Sequence, residues 1–402
     1  MNPSTAELRI VPALSEIPAA AWNALVKTHG SNQPFLRHEF LSALEKTGCV
    51  GEANASPEKT YTGWQSAHIT LWEEGALTGA IPAYLKYHSY GEYVFDWAWA
   101  DAYQRNGLDY YPKLLAAIPF SPITGARLLT DTPQRKALLA QGAIAAAKEL
   151  RASSFHCLFP LAEEIAPLQQ AGMLTRHGTQ FHWQNKPGAG YASFDEFLAT
   201  FTHEKRKKIK QERRKVVEAG ITFEWFTSNQ GNNALRDEHW AFLHQCYCNT
   251  YRLHRSTPYL NLEFFRLLGQ RMPGNCLIII GSKTNENGAT TPLCAAFNIY
   301  DQTTLWGRYW GTLEYIPNLH FETCYYQALE FCIAHNIQLF EGGAQGEHKL
   351  ARGLLPEQTQ SMHWLEHPEF SEAVERFLER EQRGVAGYIE ELREHAPFRK
   401  QI

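Results

Sequence analysis

The sequence predicts an α/β protein built from two similar halves. Three observations lead there: a length beyond what one core supports, an order of strand and helix signals that recurs on either side of a Pro-Gly break at residues 187–190, and enough apolar material for two interiors. At 402 residues, two domains of ordinary size are the default expectation. Hydrophobic residues make up 44% of the chain and aromatic residues 13%, which excludes a disordered or fibrous protein.

The first half, residues 1–186, opens with mixed segments. Ala67–Leu71 and Ala76–Tyr87 then read as strands around Glu73-Glu74-Gly75, the pattern of a hairpin. A tryptophan-rich stretch, Tyr93–Trp99, follows. Apolar spacing predicts helices over Tyr110–Ile118 and Gln134–Leu150, a strand at Ser154–Phe159, a helix at Leu161–Gln170 and a strand at Gln180–Gln184. Pro187-Gly188-Ala189-Gly190 breaks the pattern and marks the boundary.

The second half, residues 187–402, repeats this order. Ser193-Phe-Asp-Glu196 is a capping box, so a helix should start there, and it should end near Ala219-Gly220, where glycine takes the left-handed position. Ile221–Phe226 alternates as a strand. Asn233–Leu253 and Leu262–Gln270 have helical spacing, and Cys276–Gly281 with Leu293–Tyr300 form a hairpin around residues 285–288. A strand at Thr304–Trp310, a helix at Phe321–His335 and a strand at Gln338–Glu341 complete the unit, ahead of a C-terminal helix. The alternative to duplication is one large α/β domain with insertions.

The formal net charge of −4 argues against a chain coated in basic residues for nucleic acid. The first residues lack a basic region followed by an apolar one, and no window reaches the ~18 apolar residues of a membrane span. A cytoplasmic protein without a membrane span is expected. The eight cysteines show no CxxC pair and read as reduced core thiols. Cys246-Tyr-Cys248 with His244 and His254 lacks the spacing and second ligand pair of a zinc site, so no metal is expected.

Two segments carry candidate chemistry. His203–Lys215 holds eight Lys or Arg against two acids. Phe197, Phe201, Ile209 and Val216 can form one apolar stripe that docks the helix, leaving Arg206, Lys210 and Arg213 to meet an anionic donor or carrier. An ordinary solvated helix face is the competing reading. The second segment is Phe340–Gly353, at the end of a predicted strand. Gly342, Gly343 and Gly346 let backbone approach a ligand, and Gln345 lies among them. Glu341, His348, Lys349 and Arg352 crowd the same loop, which matches neither a dinucleotide fingerprint nor a P-loop.

No nucleophile elbow, H-E-x-x-H or catalytic cysteine signature is present. Direct transfer of an acyl group to an amine fits that gap, because it needs orientation, donors for a developing oxyanion and a route for the amine proton. Lys349 is then the main catalytic candidate, with Glu341 as orienter and His348 as proton acceptor.

Several blocks resemble a known family. Phe194–Glu224, with Lys205-Arg206 and Ile209-Lys210 before Glu218-Ala-Gly-Ile221, is similar to the helix-to-strand passage of FemAB-type transferases. Gln104–Lys113, Pro119–Arg127, Phe155–Phe159, Gln180–Trp183 and Gly342–Lys349 resemble the FemAB-like predicted N-acyltransferases. The resemblance implies two tandem GNAT-like domains with mixed sheets, and it adds Arg105 and Asn106 to the candidate substrate- or donor-binding residues. It also implies N-acyl transfer with no bound cofactor, from acyl-CoA or aminoacyl-tRNA as donor substrate to an amine-bearing acceptor, a peptidoglycan precursor or a small molecule. tRNA is a candidate partner, and the oligomeric state stays open. The competing function is a non-catalytic RNA- or peptidoglycan-recognition module that uses the basic helix 203–215.

Overall fold

A computed structural model describes residues 6–28, 33–51, 62–227, 231, 233–284, 288–343 and 346–399. In chain order the first elements are β1 (Ala6–Val11), α1 (Ala19–Thr28), α2 (His38–Lys46), β2 (Trp64–Ser66), β3 (His68–Glu73), β4 (Ala76–Ile81), β5 (Ala83–Lys86) and α3 (Trp97–Arg105). They are followed by β6 (Lys113–Ala116), α4 (Pro133–Glu149), β7 (Ser154–Leu158), α5 (Ala162–Gln170) and β8 (Leu174–Gln184). Next come α6 (Phe194–Ala199), α7 (His203–Glu218), β9 (Ile221–Thr227), α8 (Asp237–Leu253), α9 (Leu262–Arg271), β10 (Cys276–Thr284), β11 (Thr290–Tyr300) and β12 (Thr304–Thr312). The last are α10 (Leu319–Phe321), a π-helical turn at Glu322–Tyr326, α11 (Gln327–Ala334), β13 (Leu339–Glu341), β14 (Leu355–Leu365) and α12 (Pro368–Glu394).

The chain divides into two compact units. One comprises residues 1–178 and 358–387, the other residues 179–357 and 388–402. In the first, β1, β3 and β4 form a small antiparallel sheet, while β2, β5, β6, β7 and β14 pair in that order. Only β6 and β7 of this series run parallel. In the second unit the order is β8, β13, β12, β11, β10, β9, and here β12 and β13 are the parallel pair. Each unit therefore carries one parallel pair inside an otherwise antiparallel series, as the mixed-sheet expectation requires. Leu114, Leu139 and Phe155 centre the first unit's core, and Phe197, Leu305, Phe340 and Leu329 that of the second.

Several elements differ from expectation, each for a physical reason. The segment expected as a helix over Tyr110–Ile118 is the strand β6. Its four residues, the charged Lys113 among them, are wholly buried, and a short run with no solvent-exposed face carries no period that separates helix from buried strand. The strand expected over Ala76–Tyr87 splits at Pro82, which has no N–H for a ladder, and its two pieces join different sheets. The Trp-rich stretch leads into α3. The helix expected to run from Ser193 to Ala219 is two helices, α6 and α7. At the break, Thr202 donates its N–H to Pro397 O at 3.0 Å and Thr200 O accepts from Arg399 N at 2.9 Å, so these backbone groups pair outside any helix.

Other expectations hold. Ser193 Oγ accepts from Glu196 N at 3.1 Å, and the Glu196 carboxylate reaches back one residue further than a capping box requires, to Ala192 N at 2.6 Å. Phe197, Phe201, Ile209 and Val216 are all buried. β10 and β11 pair as the hairpin, with residues 285–287 of its turn outside the described part. Among the described residues, no helix is long and apolar enough to cross a membrane.

Candidate functional site

The glycine-rich loop begins where a parallel strand pair ends. β13 has three residues and pairs with Thr304–Trp306 of β12. β12 then continues to Thr312 alone on that edge, while the chain leaves β13 at Gly342. The C-terminal end of a parallel pair, where a neighbouring strand stops, is the usual place for a ligand in an α/β sheet. A cavity of about 200 Å³ lies there, with Asn298, Arg308, His320, Tyr325, Gly342 and Gly343 in its wall. Arg308 is the extra residue of a β-bulge, since Asn298 pairs with Gly307 and the preceding Phe297 with Tyr309. Asn298 is 2% exposed, and its Nδ2 has no hydrogen-bond partner among the described residues.

Backbone geometry explains the glycines. Gly343 has φ +81° and Gly346 φ +124°, conformations that side chains resist. A Cβ on Gly342 would stand 2.6 Å from the Leu354 side chain. Gln345 lies outside the described residues.

Lys349 sits in a 3-10 turn, Glu347–Arg352, and is 3% exposed. Its Nζ donates to Gly343 O at 2.8 Å, tying the turn back to the loop. Burial pulls the ammonium down to about 8, with Cys324 opposing the shift. The neighbouring Glu347 is engaged by the Tyr388 hydroxyl at 2.7 Å. His348 Nε2 lies 2.9 Å from Tyr325 Oη. Although His348 is exposed along part of its surface, partial desolvation, then the charges of Arg352 and Lys349, hold the imidazole below its ordinary value, so it is neutral at pH 7 and able to accept a proton.

Glu341 faces His182 on β8 and Trp306 on β12 across the strands. Its carboxyl is buried and pushed up to about 8, because desolvation outweighs the Trp306 indole and the Arg308 charge. Near neutrality it is mostly a carboxylic acid, and its Oε2 has no hydrogen-bond partner among the described residues. Arg352 is a brace: its guanidinium donates to His348 O at 2.6 Å and to Glu212 on α7 at 2.8 Å, and it lies 3.4 Å from the Phe321 ring centroid.

The basic helix uses its cations unequally. Arg213 forks onto Glu322 (2.9 Å) and Glu330 (2.8 Å), pinning α7 to the π-turn. Lys210 is exposed and pairs with Asp195 at 3.0 Å, and Arg206 is half-buried. Arg105 and Asn106 belong to the other unit, at the exposed end of α3, where Arg105 pairs with Asp101 and Asn106 Nδ2 caps Ala102 O at 2.8 Å. The structure thus joins Gly342, Gly343, Gly346, Glu341, His348, Lys349 and Arg352 in one loop system. No local signal points to His320, Asn298, Arg308 or Glu212, which arrive through cross-strand register, a bulge and helix packing.

The first unit buries a different polar set. Lys113, unexposed on β6, donates to Ser89 Oγ and Glu92 Oε2, each at 2.8 Å, and to Asp96. Tyr110 donates to Asp96 Oδ2 at 2.6 Å and lies 3.2 Å from His156, which faces His363. Burial works against the Lys113 charge, yet the two carboxylates outweigh it and raise its pKa. Within the Pro119–Arg127 block, Arg127 is buried and spends its guanidinium on the carbonyls of Ile123, Gly125, Ala126 and Leu158.

Residues 13–400 match the FemAB-like family, described as peptidoglycan biosynthesis/recognition. Among solved structures, FemX is similar over 89% of this chain and 98% of its own, with a TM-score of 0.53 at 11% identity. A tandem GNAT protein from the clavulanic acid biosynthesis pathway covers 90% of this chain and 99% of its own, with a TM-score of 0.46 and 10% identity. The C-terminal domain of a putative lysylphosphatidylglycerol synthetase from Agrobacterium fabrum covers 74% of this chain and 85% of its own, with a TM-score of 0.44 and 10% identity. No curated protein matches the chain.

Proposed function

The chain belongs to the FemAB-like family, and on that premise we propose that it is a transferase moving an acyl or aminoacyl group from an activated ester or thioester to an amine. The observation that carries this reading is the buried Lys349 ammonium, held by Gly343 O at 2.8 Å beside a cavity at the end of the β12–β13 pair. A cation fixed in a dry site meets charge as it develops on an acyl oxygen, with little reorganisation. The amine nitrogen bonds to the acyl carbon, the bond to the donor's oxygen or sulfur breaks, and neutral His348 accepts the proton that the amine loses. Glu341, mostly protonated, supports the strand end from which the loop departs. The exposed Lys207, Lys208 and Lys215 of α7 favour an anionic donor, which acyl-CoA and aminoacyl-tRNA both satisfy.

Transfer from each donor class to a peptide amine, measured beside a melting curve, tests the reading. Lys349→Met should lower turnover ~10²–10³-fold with an intact fold. Lys349→Arg should also fail, because a planar fork does not replace a compact ammonium. Undiminished transfer in Lys349→Met, or loss of transfer only through unfolding, refutes the assignment.

A further inference from the structure

A second cavity in the same unit, about 760 Å³, opens at the end of β8 beside α6 and the last described residues, with His182, Glu196, Glu357, Phe398 and Arg399 in its wall. Its charges do not all cancel. Lys186 and Glu196 pair at 2.9 Å. Glu357 is half-buried and has no ion-pair partner among the described residues. Arg399 donates Nε to Phe201 O at 3.1 Å, and its terminal nitrogens have no partner among the described residues. One anion and one cation therefore face a common space without meeting each other.

The rest of the wall mixes the polar Gln184, Asn185 and Thr200 with apolar surface. Tyr191, Leu355 and Phe398 line it, together with Gly353, whose φ is +86° and where a Cβ would stand 2.7 Å from Phe197. His182 in this wall faces Glu341 of the glycine-rich loop's strand across the sheet and feels the Lys349 charge.

From this arrangement we infer that the groove binds a short peptide as a zwitterion, its carboxylate on Arg399 and its ammonium on Glu357. A single amino acid would leave most of the space empty, since cavities of roughly 300–1,000 Å³ bury ligands of drug size, the size of a peptide of a few residues. Arg suits the carboxylate because its fork matches two oxygens, and Glu357 takes the ammonium as an acceptor without competing donors. Calling this peptide the acceptor rests on the transferase reading; the binding itself does not.

Calorimetric titration of the whole chain with trialanine, its N-acetyl form and its C-terminal amide tests the inference without any donor. The free peptide should bind at millimolar concentration or below, and capping either end should weaken binding about 10-fold or more, the loss of one charge-assisted hydrogen bond. Arg399→Gln should weaken the free peptide to the same degree and no longer distinguish it from the amide. Glu357→Gln should do likewise toward the N-acetyl form. Arg399→Lys, which keeps the charge, should retain most of the affinity, and covers the case in which Arg399→Gln disturbs the Phe201 contact. Alanine alone should bind more weakly than trialanine. Absence of binding, equal binding of capped and free peptides, or two variants that bind as the parent does would each overturn the groove assignment. A chain that binds trialanine with this pattern yet transfers nothing retains the groove and loses the transferase reading. Unchanged KM for a peptide acceptor in both variants removes the groove alone.

Discussion

Lys349 and His348 lie next to each other and titrate on opposite sides of neutrality. The His348 imidazole is held below 6.5 by partial desolvation and by the Arg352 and Lys349 charges, whereas burial brings the Lys349 ammonium down to about 8. In the proposed mechanism, kcat/KM rises with pH below 6.5 as His348 loses its proton, and falls near pH 8 as Lys349 loses its own. A profile that stays flat from pH 7 to pH 9 would sink the cationic role of Lys349. Glu341 gives a stability prediction of definite sign. Its folded pKa, about 8, stands above the ordinary 4.5, so its contribution is full below 4.5 and is lost as pH rises toward 8. Glu341→Gln removes that titration, and the melting temperature of the variant should gain on the parent's between pH 5 and pH 8. In the other unit, Lys113→Met leaves Glu92 and Asp96 buried without their cation and should cost ~3–5 kcal/mol in urea unfolding.

Helix α7 combines two roles that its sequence does not separate. Arg213, on the side facing the π-turn, is bound by Glu322 and Glu330, and Glu212 receives Arg352 and the Tyr326 hydroxyl. Lys207, Lys208 and Lys215 face solvent. Arg213→Gln should therefore destabilise the fold by roughly 3 kcal/mol, because Glu322 is 3% exposed and loses its fork. The triple change of Lys207, Lys208 and Lys215 to Gln should leave melting within about 1 kcal/mol of the parent. The same triple variant should weaken an anionic donor and flatten the salt dependence of its binding. Equal donor binding and salt slope would make these residues a solvated face only. A second element-level test is Gly346→Ala, which places a Cβ 2.6 Å from His348 at φ +124° and should lower transfer more than it lowers the melting temperature.

The two compact units are not two consecutive stretches of chain. β14 enters the first unit's sheet from residue 358 onward, and β8 gives its last residues to the second. A cut at residue 187 separates β7 from its partner β14, and β13 from its partner β8. Fragments 1–186 and 187–402 expressed apart should accordingly lack cooperative unfolding, because each presents an unpaired strand beside a buried one. Mixed together, they should recover it. Independent folding of either fragment, seen as a dispersed amide spectrum, would contradict this account.

The sequence by itself determined the α/β class, the recurring order of elements, most strands of the second half and the loop that gathers Glu341, His348 and Lys349. These follow from local signals: apolar period, a capping serine, glycines where φ is positive, and charged residues close together in the chain. Only the tertiary structure decided that Lys113–Ala116 is a strand, because a short run in which even the charged Lys113 is buried has no solvent face to reveal its period. It also decided that Arg213 is a brace and that Glu341 is an acid held protonated, since charge pairing and desolvation depend on neighbours tens to more than a hundred residues away in the chain. Asn298 and Arg308 reach the loop through strand register and a bulge, His320 through the packing of α10, and the groove of Glu357 and Arg399 forms through the return of the C-terminal chain. Such meetings are set by packing between distant segments, for which a single sequence carries no local period.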